Sequence, residues 1–225
     1  MLKPQKKRIT KKNLKEDKFV ETALMARSYF EEHTKEITYI AAAVVVVGLL
    51  IWLFLNHRSE RLAKAEVLLG KAQMEMQSMH TAKAREFLNQ LIQDYDGTDA
   101  ALQGYFLLAN LDFQAEKYDL AEKEYKKFID SYSGSKILLS SAYAGYAACL
   151  EHRGAHREAA ENYLKAQKTA PDFVEAPNYL YLAGLNYRDA GMKDKAREMF
   201  QKIIEKYKDS KRFNDAKTQL ILLEK

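Results

Sequence analysis

One cysteine in 225 residues, Cys149, sets the first limits. It excludes an internal disulfide, and no lipobox cysteine stands where a lipid anchor needs one. A single thiol suits an oxidising or a reducing compartment equally. Cys-x-x-Cys, Gly-x-Gly-x-x-Gly, the P-loop and Gly-x-Ser-x-Gly are all absent, so the usual redox, dinucleotide, nucleotide and serine-hydrolase motifs are missing. His152 and His156 are four apart, but Gly154 lies between them in a predicted turn and no third ligand accompanies them. They read as surface histidines, not metal ligands. No cofactor, metal or catalytic residue is expected, and the chain reads as a non-enzyme. Nor does any segment alternate with period two, so no strands are expected and the fold class is all-α. Net charge is missing from most of the chain. Residues 62–225 hold 24 Lys/Arg and 24 Asp/Glu, so the basic pI of about 9.0 does not point to nucleic acid.

What is present first is a run without charge, Ile37 to Leu55, reading ITYIAAAVVVVGLLIWLFL. As a helix its nineteen residues span roughly 28 Å, about the hydrocarbon thickness of a bilayer. Tyr39 and Trp52 lie near its ends, where amphipathic rings favour the headgroup level. The run is longer than a signal-peptide core, thirty-six residues precede it, and NHRSERL after it offers no small-x-small cleavage site. It reads as an uncleaved signal anchor. Residues 1–37 carry ten Lys/Arg against six acids. A basic short tail stays cytoplasmic while a long domain translocates largely regardless of charge. The expected topology is a cytoplasmic N-terminus, one span and a periplasmic C-terminal domain at a bacterial inner membrane. The basic cluster KPQKKRITKK reads first as a topology signal; lipid, RNA or an acidic protein stay open as its ligands. Leu14, Val20, Leu24 and Phe30 predict an amphipathic helix between cluster and span. The boundaries are 1–36 tail, 37–55 transmembrane helix, 56–61 juxtamembrane linker and 62–225 soluble domain.

The soluble part repeats. TAKAREFLNQLIQDY, YDLAEKEYKKFIDSY, HREAAENYLKAQKTAP and MKDKAREMFQKIIEKY align, each with a small residue, then an apolar one four later, then another three later. The triplets are Ala84, Leu88, Leu91; Ala121, Tyr125, Phe128; Ala159, Tyr163, Ala166; and Ala196, Phe200, Ile203, at spacings of 37, 38 and 37. Twelve residues before each opener stands another small residue: Ala72, Ala109, Ala147 or Gly184. Small residues facing one another let antiparallel helices cross closely. This pattern resembles the tetratricopeptide repeat (TPR) family over about 62–225, with Pro171 ending a second helix and Gly191 in a turn. The first repeat departs from the family at Lys71 and Glu75. SKRFNDAKTQLILLEK reads as a closing helix. The expected architecture is one transmembrane helix followed by a TPR-like α-solenoid of about four helix pairs plus a C-terminal capping helix. Tyr125, Tyr143, Tyr146, Tyr163 and Tyr187 then fall on core positions, and Cys149 reads as a small core residue.

The resemblance implies a partner-binding groove along the first helices. Carried over by position, it holds Gln103, Phe106, Asn110 and Phe113, then His152, then Asn178, Tyr181 and Arg188, beside Met76, Gln77, Leu107, Ala144, Ala148 and Leu185. Aromatic and amide side chains there suit extended or helical segments. The lysines of the family's chaperone-carboxylate clamp are missing, with Leu69 and Gln73, then Phe106 and Asn110, at those places. This argues against a eukaryotic organelle-membrane receptor. A basic tail, one span and a TPR domain outside are similar to the YfgM-like ancillary subunits of the bacterial SecYEG translocon. That likeness implies a non-enzymatic interaction scaffold in protein export or folding, with the translocon, periplasmic chaperones or exported chains as partners. A structural scaffold for cell-wall or division machinery is the alternative. The oligomeric state and the partner's identity stay open.

Overall fold

The structure is a computed structural model that describes residues 11–224, with side chains described from Lys18. Most of the basic cluster expected to set topology lies outside the described residues. Among those described there are ten α-helices and no strand. The chain divides into two units, Met1–Ser59 and Glu60–Lys225, with the division inside one helix.

In the first unit, α1 (Lys11–Glu32) is followed at His33 by α2 (Thr34–Gln77), and His33 N–H donates to the Tyr29 carbonyl as the helical ladder continues. The helix expected before the span is therefore present. Its apolar side chains are not gathered on one face: Phe19, Val20, Leu24, Met25, Tyr29 and Phe30 are spread around it and exposed. The large apolar side chains from Val44 to Leu55 are each 54–66% exposed. The helix is long and apolar enough to cross a membrane. Residues 56–61, expected as a linker, are helical.

The second unit begins with the rest of α2, which buries Ala65, Leu68, Leu69 and Ala72. It continues with α3 (Thr81–Tyr95), α4 (Asp99–Gln114), α5 (Tyr118–Ser131), α6 (Lys136–His152), α7 (His156–Thr169), α8 (Ala176–Asp189), α9 (Lys193–Lys206) and α10 (Arg212–Leu223). The four helix pairs are α2–α3, joined through the buried clusters of Leu68, Leu69 and Ala72 with Leu91, Ala84 and Leu88, then α4–α5, α6–α7 and α8–α9, and α10 closes the stack against α9 and α8. All twelve triplet residues are at most 4% exposed. The small partners Ala72, Ala109, Ala147 and Gly184 are buried as well. Period 3.6 explains this, since small and apolar residues four and three apart share one helix face. The approach is close enough that a Cβ on Gly184 would lie 2.5 Å from the Phe200 ring.

The turn inside each pair is the same turn four times. Met79, Glu116, Gly154 and Gly191 all have left-handed φ, between 59° and 78°. After each, the next N–H reaches back to close the helix end: His80 to Glu75, Lys117 to Asp112, Ala155 to Leu150 and Met192 to Tyr187. This is the Schellman closure, which glycine suits best. Repeats one and two use Met79 and Glu116 instead, at a conformational cost of about 1–2 kcal/mol each. The first pair packs despite its departures from the family. Lys71 points Nζ over the Phe87 ring at 5.8 Å, and Glu75 lies 2.8 Å from His80 Nδ1.

Candidate interaction surface

The residues expected to form the groove fall into two groups. On α4, Phe106 packs 5.4 Å from Phe128 and 6.0 Å from Tyr125, and Asn110 Oδ1 accepts from the Tyr125 hydroxyl. Phe106 and Asn110 are thus held by the second helix of their own repeat. Gln103 is half-buried on the same helix. In the last turn of α4, Phe113 stands edge-on to Tyr118 at 5.2 Å and to His152 at 5.6 Å. Tyr118 and His152 stack at 4.0 Å with 12° between planes. The result is an aromatic cluster bridging α4, α5 and α6, with His152 exposed.

The second group joins α8 to α10. Arg212 donates from Nε to Asn178 Oδ1 at 2.9 Å and sits over the Tyr181 ring at 4.6 Å. Gln219 accepts from Arg188 Nη1 at 2.9 Å and donates to the Tyr181 hydroxyl at 3.4 Å. Beside them the α7–α8 and α9–α10 joints enclose a cavity of about 550 Å³, with Asn178, Lys211 and Arg212 in its lining. The sequence placed α10 as a cap. It did not show that Arg212 and Gln219 extend the first-helix surface, because that depends on which face α10 presents.

The expected core residues separate by burial. Tyr125, Tyr163 and Tyr187 are buried, while Tyr143 and Tyr146 are partly buried against the core. Cys149 is 1% exposed, and burial, with a smaller push from Glu122, moves its thiol up to about 12. A thiol held protonated and out of solvent is a poor nucleophile. His152 and His156 do not converge: the first stacks on Tyr118 and the second places Nδ1 3.1 Å from Asn186 Oδ1.

A charged cluster between the first two repeats went unseen in the sequence. Asp112, 1% exposed on α4, lies against Arg85 of α3, with the Lys117 ammonium 4.0 Å away. Glu124 of α5 adds a carboxyl whose Oε2 is buried without a hydrogen bond. Burial first, then the neighbouring Asp112 carboxylate, moves the Glu124 carboxyl up to about 7, while Arg85 opposes the shift. The Arg85–Asp112 pair ties α3 to α4, and Glu124 brings a second carboxyl against it from α5.

Comparison with known proteins agrees with the helical stack. The family description "tetratricopeptide repeat-like domain" matches residues 27–222. No curated protein matches significantly. Among solved structures, the MamA protein superposes with a TM-score of 0.54 at 24% identity, covering 64% of this chain and 73% of that one. PilF of Pseudomonas aeruginosa superposes at 0.50 with 19% identity, covering 65% of this chain and 62% of that one. At these identities the likeness is one of fold.

Proposed function

We propose, from the premise that this chain belongs to the tetratricopeptide repeat-like domain family, that it is a membrane-anchored protein–protein interaction scaffold. The observation that carries this reading is the set of half-exposed side chains Phe106 and Phe113 on α4 and Tyr181 and Arg188 on α8, the first helices of the second and fourth repeats, each held by a neighbouring side chain. Aromatic and arginine side chains supply a disproportionate share of binding energy. Holding them in place beforehand lowers the ordering cost on association. Partner segments of apolar and amide-compatible character, extended or helical, suit that set.

The exposed apolar surface of Val44–Leu55 supports anchoring, since water meets it unfavourably and lipid does not. The basic tail beside a neutral domain supports an N-terminus in the cytoplasm and a periplasmic stack at a bacterial inner membrane. The layout supports a role in export or folding, with the translocon, periplasmic chaperones or exported chains as partners. Catalysis has no part in this reading.

The test is photocrosslinking in intact cells from Gln103, with the products identified by mass spectrometry. Phe106, Phe113 and Tyr181 replaced together by Ala should abolish the crosslinks while helicity holds. A folded triple variant that keeps every partner overturns the groove. An impermeant thiol label should reach a cysteine at Asp209 and spare one at Thr10; the reverse pattern overturns the topology.

A further inference from the structure

The part of α2 in the second unit is apolar on two opposite faces. One face, Ala65, Leu68, Leu69 and Ala72, is buried in clusters with Leu91, Ala84 and Leu88. Half a helical turn away run Ala63, Val67, Gly70 and Met74, at spacings of four, three and four. All four are exposed, Val67 at 58% and Met74 at 59%. Later first helices lie against the second helix of the preceding repeat, as α6 does against α5 and α8 against α7. The first repeat has no preceding repeat. The spacing of the stripe is that of a coiled-coil seam, with small residues at one class of position and Val and Met at the other. Beside it a cavity of about 350 Å³ is lined by Ala63, Val67, Lys71 and, from α3, Gln90 and Tyr95.

We propose that this stripe is the interface for a second copy of the same chain, paired parallel and in register along α2. The flanking charges choose that occupant. Lys64 and Lys71 flank the stripe on one side, Glu66 and Gln73 on the other. In a parallel two-stranded pairing the residue on the Glu66 side meets the partner residue five positions later on the opposite side. Glu66 then meets Lys71 of the second copy, and the two-fold axis makes that pair twice. An antiparallel pairing sets Lys against Lys and Glu66 against its own side, which repels. The inference rests on the anchored reading above in one respect. Two copies inserted in one membrane enter their soluble domains from the same side, which is the parallel arrangement. Confinement to that membrane also raises the effective concentration, which a seam of only about two heptads needs. Gly70 and Ala63 let the backbones approach, and Met74 adapts to irregular space such as the neighbouring cavity.

Disulfide trapping in membranes containing the full chain tests this. In a Cys149→Ala background, single cysteines replace Val67, Gly70 or Met74, with Asp130→Cys on α5 as the control. Mild oxidation should give covalent dimers at 70 and 74 at least fivefold above the control. Adding Glu66→Lys should lower the yield at position 70 several-fold, and Lys71→Glu added to that should restore it. Equal yields at the stripe and at the control, no dimer at any position, or crosslinks to a different protein overturns the proposal. A carbonate wash of the same membranes keeps the two readings apart. Chain left in the pellet with no stripe-specific dimer defeats the pairing alone. Chain released into the wash defeats the anchor, and stripe-specific dimers from the released chain would still support the pairing.

Discussion

Arg85 on α3 meets Asp112 on α4 with both guanidinium arms. Nη1 donates to Oδ2 at 3.0 Å, and Nη2 makes an ionic contact with Oδ1 at 2.8 Å. Asp112 is 1% exposed, so this pair sits within the joint between the first two repeats. Removing one partner of a buried pair leaves the other charge without compensation, which costs about 3–5 kcal/mol. Arg85→Ala should fall at the low end, about 3 kcal/mol, because the Lys117 ammonium remains 4.0 Å from Asp112. Asp112→Asn combined with Arg85→Met should cost clearly less than Arg85→Ala. Urea melts of the three proteins check the order; equal losses would show that packing, not charge, holds this joint.

Glu124 makes stability depend on pH in an unusual direction for a carboxylate. Its folded pKa, about 7, is above the ordinary 4.5. Between those values the folded state binds a proton that the unfolded state has lost. Stability contributed by this group is therefore full below about pH 4.5, falls as pH rises towards 7, and stays low above that. The carboxyl is half-buried, so solvent screens part of the effect and the expected loss is about 1–2 kcal/mol. Glu124→Gln should flatten this slope and melt higher than the parent at pH 8. A parent and variant with the same pH slope from 5 to 8 would remove Glu124 from the account.

Glu116 and Met79 hold left-handed backbone where repeats three and four use glycine. A side chain there costs about 1–2 kcal/mol, while glycine loses more entropy on folding. The balance favours glycine: Glu116→Gly and Met79→Gly should each stabilise the chain by about 0.5 kcal/mol. Thermal melts by circular dichroism check this, and a lower melting temperature for either variant contradicts it.

Two helical glycines should respond to alanine in opposite directions. Nothing lies within 4 Å of a Cβ built on Gly70, so Gly70→Ala should stabilise by about 0.5–1 kcal/mol. A Cβ on Gly184 would press 2.5 Å from the Phe200 ring. Overpacking typically costs about 1–3 kcal/mol, which outweighs the gain in helix propensity, so Gly184→Ala should destabilise. Gly184→Ala with Phe200→Leu should recover part of that loss. Denaturant midpoints for the single and paired variants settle the comparison.

Much of the fold was legible in the residues alone because one local rule repeats. Small and apolar residues at offsets of four and three must share a helix face, and four such faces at intervals of 37 or 38 residues can only stack. The long apolar helix was legible for a similar reason, since nineteen residues without charge are long and apolar enough, as a helix, to cross a membrane. The positions of Ala121, Tyr125 and Phe128 follow from spacing. The association of Arg85, Asp112 and Glu124 does not. They lie 27 and 12 residues apart on three different helices, and only the rotation of those packed helices turns them towards one another. The same holds for Arg212 and Gln219, whose meeting with Asn178, Tyr181 and Arg188 depends on how α10 is turned against α8. The left-handed turns at Met79 and Glu116 carried no glycine to mark them. Helix periodicity is a property of neighbours in the chain, and the sequence determines it. Which polar groups are taken from water, and which partner meets them there, is a property of packing between helices, and only the tertiary structure decides it.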